Sequence, residues 1–210
     1  MDNKSTQKYL TKANDSFKTK LNLYLFSKVI QNNWNNLSLK DFTRFEINQD
    51  LIELYTTEYW QYEPEYEIKP GLTNDAIYKQ IDKIKSENKP LIDTLNKDYI
   101  GIQFPVKFPK NEFKELLNYQ ECAYCHITIA DINQMANNKQ LRKKNYRGWS
   151  LEVDRLDSNK EYSKDNCVMA CYWCNNAKTD EFTEDEFKKI GKEIRKIWET
   201  RSGKKLGNIL

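Results

Sequence analysis

The sequence predicts an α+β protein: a mainly helical region through residue 115, then a cysteine-stapled region of two short strands and helices over 116–210. Three observations carry this. Long stretches of the first half space their apolar residues at helical intervals, all five cysteines fall between positions 122 and 174, and two short apolar runs in the second half flank a polar loop. Of 210 residues 39% are hydrophobic, enough for a core and against wholesale disorder. Mean hydropathy is −0.89, and no stretch approaches the roughly 18 apolar residues a membrane helix needs. Met1-Asp2-Asn3-Lys4-Ser5 opens the chain without a charged-then-apolar signal pattern. A soluble, cytoplasmic protein with no membrane partner is expected.

In chain order, residues 5–31 carry Leu10, Phe17, Leu21, Tyr24, Leu25 and Ile30 at helix-compatible spacings. Residues 51–70 are rich in tyrosine and glutamate and end at Pro70-Gly71, a turn signal. The stretch 75–97 repeats the helical pattern with Ile77, Ile81 and Ile84, and Pro90 should break or kink it. A short helix is expected at 110–119, packed through Phe113, Leu116 and Leu117. Further on, Trp149 to Asp154 reads as a strand, 155–165 as a polar loop and Asn166 to Ala170 as a second strand. A helix then begins at the second cysteine pair. Thr183 with Glu186 makes a capping box for a last helix, whose Phe187, Ile190, Ile194, Ile197 and Trp198 form an apolar stripe.

Four of the cysteines form two Cys-x-x-Cys pairs, Cys122/Cys125 and Cys171/Cys174, and Cys167 stands apart. An odd count without a secretory signal argues against a disulfide framework. Two such pairs can close a tetrahedron of thiolates around a structural Zn²⁺. That binding supplies on the order of 10–16 kcal/mol, enough to fold a segment too short for a core of its own. The other readings are buried thiols or a redox couple, and two pairs favour zinc over either. Cys167 reads as a buried core thiol on a strand.

Charge is divided unevenly. Residues 1–115 balance 17 basic against 17 acidic side chains and 116–210 hold 17 against 14, so the whole net charge of +3 lies in the cysteine-bearing half. Its densest piece is Lys139, Arg142, Lys143, Lys144 and Arg147, with no acid among them. Such a run is either a solvated face or a nucleic-acid contact.

The chemistry-bearing residues stand in a fixed order: Cys-Ala-Tyr-Cys (122–125), Leu-Glu-Val-Asp-Arg-Leu-Asp (151–157), Asp-Asn (165–166) and Cys-Tyr-Trp-Cys-Asn-Asn-Ala-Lys (171–178). Two strands and a helix start, pinned by zinc at both ends, bring Asp154 and Asn175 close. A carboxylate and a carboxamide are hard oxygen donors that suit Mg²⁺. An ion so held can stabilise the leaving oxygen of a phosphodiester.

Residues 121–187 resemble the HNH, or ββα-metal, nucleases of the zinc-stapled branch. The stretch 152–178 looks closest to a sub-branch with an Asp-Arg pair found among restriction-type endonucleases. The resemblance covers about one third of the chain. It implies a ββα-metal nuclease domain over 116–210 ending in a C-terminal helix, with residues 1–115 left for target recognition or dimer contacts. By it, Asp154 and Asn175 are the catalytic metal ligands, Asn166 is the middle asparagine that shapes the loop, and the four paired cysteines hold structural zinc. It further implies double-stranded DNA as partner and a role in restriction or other phage defence, and the need to cut two strands leads to the expectation of a homodimer.

One position departs from the pattern. Where these enzymes place a histidine after the metal-binding aspartate, this chain has Arg155, whose pKa above about 12 makes it a poor base. Its guanidinium can instead clamp the scissile phosphate. The proton acceptor is then open among His126, Glu152, Tyr146, Tyr162 and water. Lys178, three positions after Asn175, either shares that helix face and touches a phosphate or is an exposed lysine. Trp173 reads as apolar cover for the zinc site. Against a Mg²⁺-dependent endonuclease stands a second reading, a catalytically silent zinc module that binds nucleic acid or protein. Arg155 motivates it, and the retained Asp154 and Asn175 oppose it.

Overall fold

The computed structural model describes residues 2–59, 63–141 and 148–206. They form two compact units. One gathers the described residues of 6–109 with 159–162; the other gathers the described residues of 1–5, 110–158 and 163–210.

The first unit is helical. Its centre is α1 (Asn3–Ile30), whose buried Tyr9, Ala13, Phe17, Leu21 and Tyr24 recur every three or four residues. From Leu23 to Val29 every residue is buried, so the later turns are surrounded on all sides. Around α1 lie α2 (Leu39–Arg44), α3 (Gln49–Glu53, continuing as a π-helix over Leu54–Tyr59), α4 (Asn74–Glu87), α5 (Lys89–Asp98) and α6 (Phe104–Lys107). Pro70-Gly71 makes the expected turn, joining β1 (Glu67–Lys69) to β2 (Leu72–Thr73) with Gly71 at φ +75°. Pro90 starts a helix rather than bending one: the chain breaks at Asn88, and the proline sits in the first turn of α5, where its missing N–H costs nothing. The core is aromatic, with Phe42 against Phe17 at 5.8 Å and against Tyr24 at 5.3 Å, and Tyr9 against Phe104 at 5.0 Å.

Four residues of the loop expected at 155–165 complete this helical core. Glu161 is buried there. Its carboxylate accepts from the Tyr99 hydroxyl at 2.5 Å and pairs with the Lys107 ammonium at 2.8 Å. The Tyr162 N–H donates to the Ser16 hydroxyl at 2.9 Å. Burial, then the Glu161 charge, push the Tyr99 hydroxyl far above its ordinary range, so it remains a donor.

The second unit holds α7 (Lys110–Leu117), α8 (Ile129–Asn137), β3 (Glu152–Arg155), β4 (Cys167–Ala170), α9 (Tyr172–Lys178) and α10 (Glu184–Ser202). Strands β3 and β4 pair antiparallel, with Asp154 opposite Val168 and Arg155 opposite Cys167. The first strand starts three residues later than the sequence suggests, because Trp149 is half-exposed and follows Gly148 at φ +83°. Helix α10 has the expected capping box, but its buried face differs from the expected stripe. Phe187, Gly191, Arg195 and Trp198 are buried, whereas Ile197 is 50% exposed. The reason is close approach at Gly191, where a Cβ would lie 2.6 Å from the Tyr124 carbonyl oxygen. No helix among the described residues is long and apolar enough to cross a membrane.

Candidate metal centre and active site

The cysteines converge as their spacing predicts. Sγ atoms of Cys122, Cys125, Cys171 and Cys174 all lie within 4.8 Å of one another, fully buried. Tetrahedral zinc with bonds of about 2.3 Å requires sulfur–sulfur separations of about 3.8 Å, and Cys125 and Cys171 stand 3.7 Å apart. The first pair sits on a tight turn in which the His126 N–H donates to the Cys122 carbonyl and the Cys122 N–H to that of Ile127. His126 takes φ +59° to close it. The Ala123 N–H donates to Met169 of β4, seating this turn on the sheet. The second pair straddles the start of α9, where Cys171 is the N-cap and its sulfur accepts from the Cys174 N–H at 3.4 Å.

The thiols perturb one another strongly. Contact with Cys125 lowers the Cys122 thiol, while contact with Cys122 raises those of Cys125 and Cys174. Four negative sulfurs cannot share this space without a cation to neutralise them, which is what a divalent, thiophilic ion supplies. The residues fit zinc. Cys167 is buried on β4 outside the cluster, as a strand thiol. Trp173 packs on Trp198 of α10 with ring centroids 4.8 Å apart.

Beside this cluster, β3 presents Glu152 and Asp154 two positions apart, on one face of the strand. Asn175, in the middle of α9, reaches that face: its side-chain nitrogen donates to Glu152 at 2.5 Å. Asp154 is buried, and its Oδ2 accepts from the Tyr124 hydroxyl at 2.8 Å. Burial pushes the Asp154 carboxyl above its ordinary range, opposed by the Tyr124 hydrogen bond and by the charges of Lys178 and Arg155. A carboxylate so desolvated gains from a nearby cation. Asn166 spans the ends of the loop between the strands: its amide accepts from the Asp157 N–H at 2.9 Å and donates to the Asp157 carbonyl at 3.0 Å.

No protein-family model and no curated protein match the chain. A solved structure is similar. It is that of the rare-cutting HNH restriction endonuclease PacI, described for its perturbation of DNA, and it is 31% identical with a TM-score of 0.39. The match covers 45% of this chain and 66% of that one, so this chain spans just under two thirds of the length of that enzyme.

Lys178 is the expected contact residue whose place differs most. It is fully buried, and its ammonium donates to the Arg155 carbonyl at 2.9 Å and approaches the Ser158 hydroxyl at 3.4 Å. It is thus neither on the surface nor turned to a phosphate in solvent, because α9 packs this flank against β3. Among the candidate bases, Glu152 lies beside Asp154, His126 is on the knuckle turn with its Nδ1 2.6 Å from Glu121, and Tyr162 is in the helical unit. Tyr146 and the basic residues Arg142, Lys143, Lys144 and Arg147 lie outside the described residues.

Tyr124 is the site residue that sequence reasoning missed. Within the Cys-Ala-Tyr-Cys motif the sequence assigns it no role. The available signal was the pairing of a polar aromatic with a buried acid, since a tyrosine hydroxyl in an interior finds a partner.

Proposed function

We propose that this protein is a metal-dependent DNA endonuclease of the HNH type, with a structural Zn²⁺ and a catalytic Mg²⁺. One observation carries the reading: Asn175 of α9 reaches Glu152 on the strand face that also carries Asp154, beside the buried four-cysteine cluster. A scaffold that only held zinc would need neither Asn175 nor Asp154. Mg²⁺, when bound, stabilises charge on the leaving oxygen of the phosphodiester. Asp154 and Asn175 hold it, Arg155 clamps the scissile phosphate, and Asn166 keeps the loop between the strands in shape. Arg142, Lys143, Lys144 and Arg147 contact the DNA backbone. The substrate is double-stranded DNA and the role restriction or other phage defence in the cytoplasm. The helical region serves recognition or the contacts of a homodimer.

The test is cleavage of supercoiled plasmid and phage genomic DNA with Mg²⁺, beside the Asp154→Ala protein. Discrete Mg²⁺-dependent products, lost in the variant while zinc content and melting temperature are kept, are expected. Failure to cut these, single-stranded DNA and RNA, with zinc bound, would overturn the nuclease reading in favour of a zinc module that only binds.

A further inference from the structure

We propose that Tyr124 and Glu152 are positioning residues, each fixing the direction of one of the two oxygens offered to the metal; this rests on the assignment of Asp154 and Asn175 as its ligands. The two hydrogen bonds are complementary. Tyr124 donates to one carboxylate oxygen of Asp154 at 2.8 Å, which stops rotation of the carboxylate and leaves Oδ1 with a single orientation. Glu152 accepts from the Asn175 side chain at 2.5 Å. A carboxylate only accepts, so the amide nitrogen faces Glu152 and the carbonyl oxygen points away from it. The flip that would put N–H in place of the ligand oxygen is thereby blocked. Partners of this kind commonly decide how well a metal is held.

Tyr124 is itself immobile. Its backbone belongs to the knuckle between Cys122 and Cys125, its ring meets Phe187 edge-on at 5.0 Å, and its carbonyl lies against Gly191. The structural cluster therefore reaches the candidate catalytic carboxylate through one rigid side chain. Glu152 works from the strand itself, two residues before Asp154 and opposite Ala170. Ligand and orienter alternate along one face.

The experiment is titration of Mn²⁺, followed by its free-ion electron paramagnetic resonance signal, into the zinc-loaded protein. It compares wild type with Asp154→Ala, Tyr124→Phe, Glu152→Ala and Glu152→Gln, and records zinc content and melting temperature for each. Tyr124→Phe and Glu152→Ala are expected to weaken Mn²⁺ binding by about 10- to 100-fold with zinc retained. Glu152→Gln keeps an acceptor oxygen and should recover most of the affinity, which a merely structural role would not produce. Wild-type affinity in Tyr124→Phe and Glu152→Ala, with binding lost in Asp154→Ala, would overturn the inference and leave the ligand assignment standing. Wild-type affinity in Asp154→Ala would instead overturn the ligand assignment, and the inference with it. Glu152→Ala, at a half-buried position, carries the decision independently of any folding defect at Tyr124.

Discussion

The ammonium of Lys178 lies 2.9 Å from the backbone carbonyl oxygen of Arg155, entirely out of solvent. Helix α9 is thus bolted to the end of β3 by a charge-assisted hydrogen bond, on the same strand that carries Asp154. Lys178→Ala removes both the bolt and its volume and should cost about 2–5 kcal/mol, as large-to-small changes in cores do. Lys178→Met keeps most of the volume and should cost about 1.5–3 kcal/mol, the worth of a hydrogen bond from a charged group. Urea denaturation of the two variants checks the order, and equal losses would show that the hydrogen bond alone accounts for the lysine.

Gly191 places the backbone of α10 directly on that of Tyr124. A methyl group there would sit 2.6 Å from a carbonyl oxygen and 2.9 Å from its carbon, neither of which can swing aside. Gly191→Ala should therefore lower stability by about 1–3 kcal/mol despite the better helix propensity of alanine. Gly101 has nothing within 4 Å of its would-be Cβ, so Gly101→Ala is the control and should be neutral or raise stability by about 0.4–1 kcal/mol. Thermal melts of the pair separate steric contact from propensity.

The five cysteines should divide four to one. Cys125→Ser should release zinc and unfold the second unit, since its sulfur stands 3.7 Å from that of Cys171 inside the cluster. Cys167→Ala, on β4 but outside the cluster, should retain one zinc per chain at a cost of about 1 kcal/mol. Zinc quantified with a chromogenic chelator after denaturation, beside a melting curve, tests both.

Asp131 gives the second unit an acid-sensitive joint. It caps α8 by accepting from the backbone and hydroxyl of Thr128 and pairs with Lys204 at 2.7 Å. Burial pushes its carboxyl up, but Lys204 and Thr128 outweigh this and hold it below its ordinary range. Its contribution is fully present above the unfolded value of about 3.9 and disappears as pH falls through the lower folded value. Urea midpoints of wild type and Asp131→Asn should differ at pH 6 and converge in acid. A gap that stays constant down to pH 2.5 would show that ionisation contributes nothing there.

How much of this could be read in advance depended on the range of each cause. The cysteine tetrad is legible because four ligands at those spacings have few other purposes, and the strand pair is legible because turn-forming polar residues bracket two apolar runs. Helix α8 is not legible in the sequence: nine residues carry too few turns for a period to stand out, although Thr128 with Asp131 marks its start. The burial of Lys178 is not legible because a lysine on a helix is usually solvated, and only the packing of α9 on β3 makes this one internal. Gly191 interrupts the α10 stripe in plain view, yet what it approaches lies 67 positions away at Tyr124. Glu161 could not be assigned at all, since its partners Tyr99 and Lys107 are set by tertiary structure.

That excursion of residues 159–162 into the helical unit has a consequence for how the protein is made. The helical core lacks Glu161 and Tyr162 until the ribosome has passed well beyond both the first cysteine pair and β3. Until then Tyr99 and Lys107 have no Glu161 to meet, and the first unit stays incomplete while about half of the second has already been synthesised. Folding of the two halves is therefore interleaved in time, and no single cut in the chain yields two complete parts.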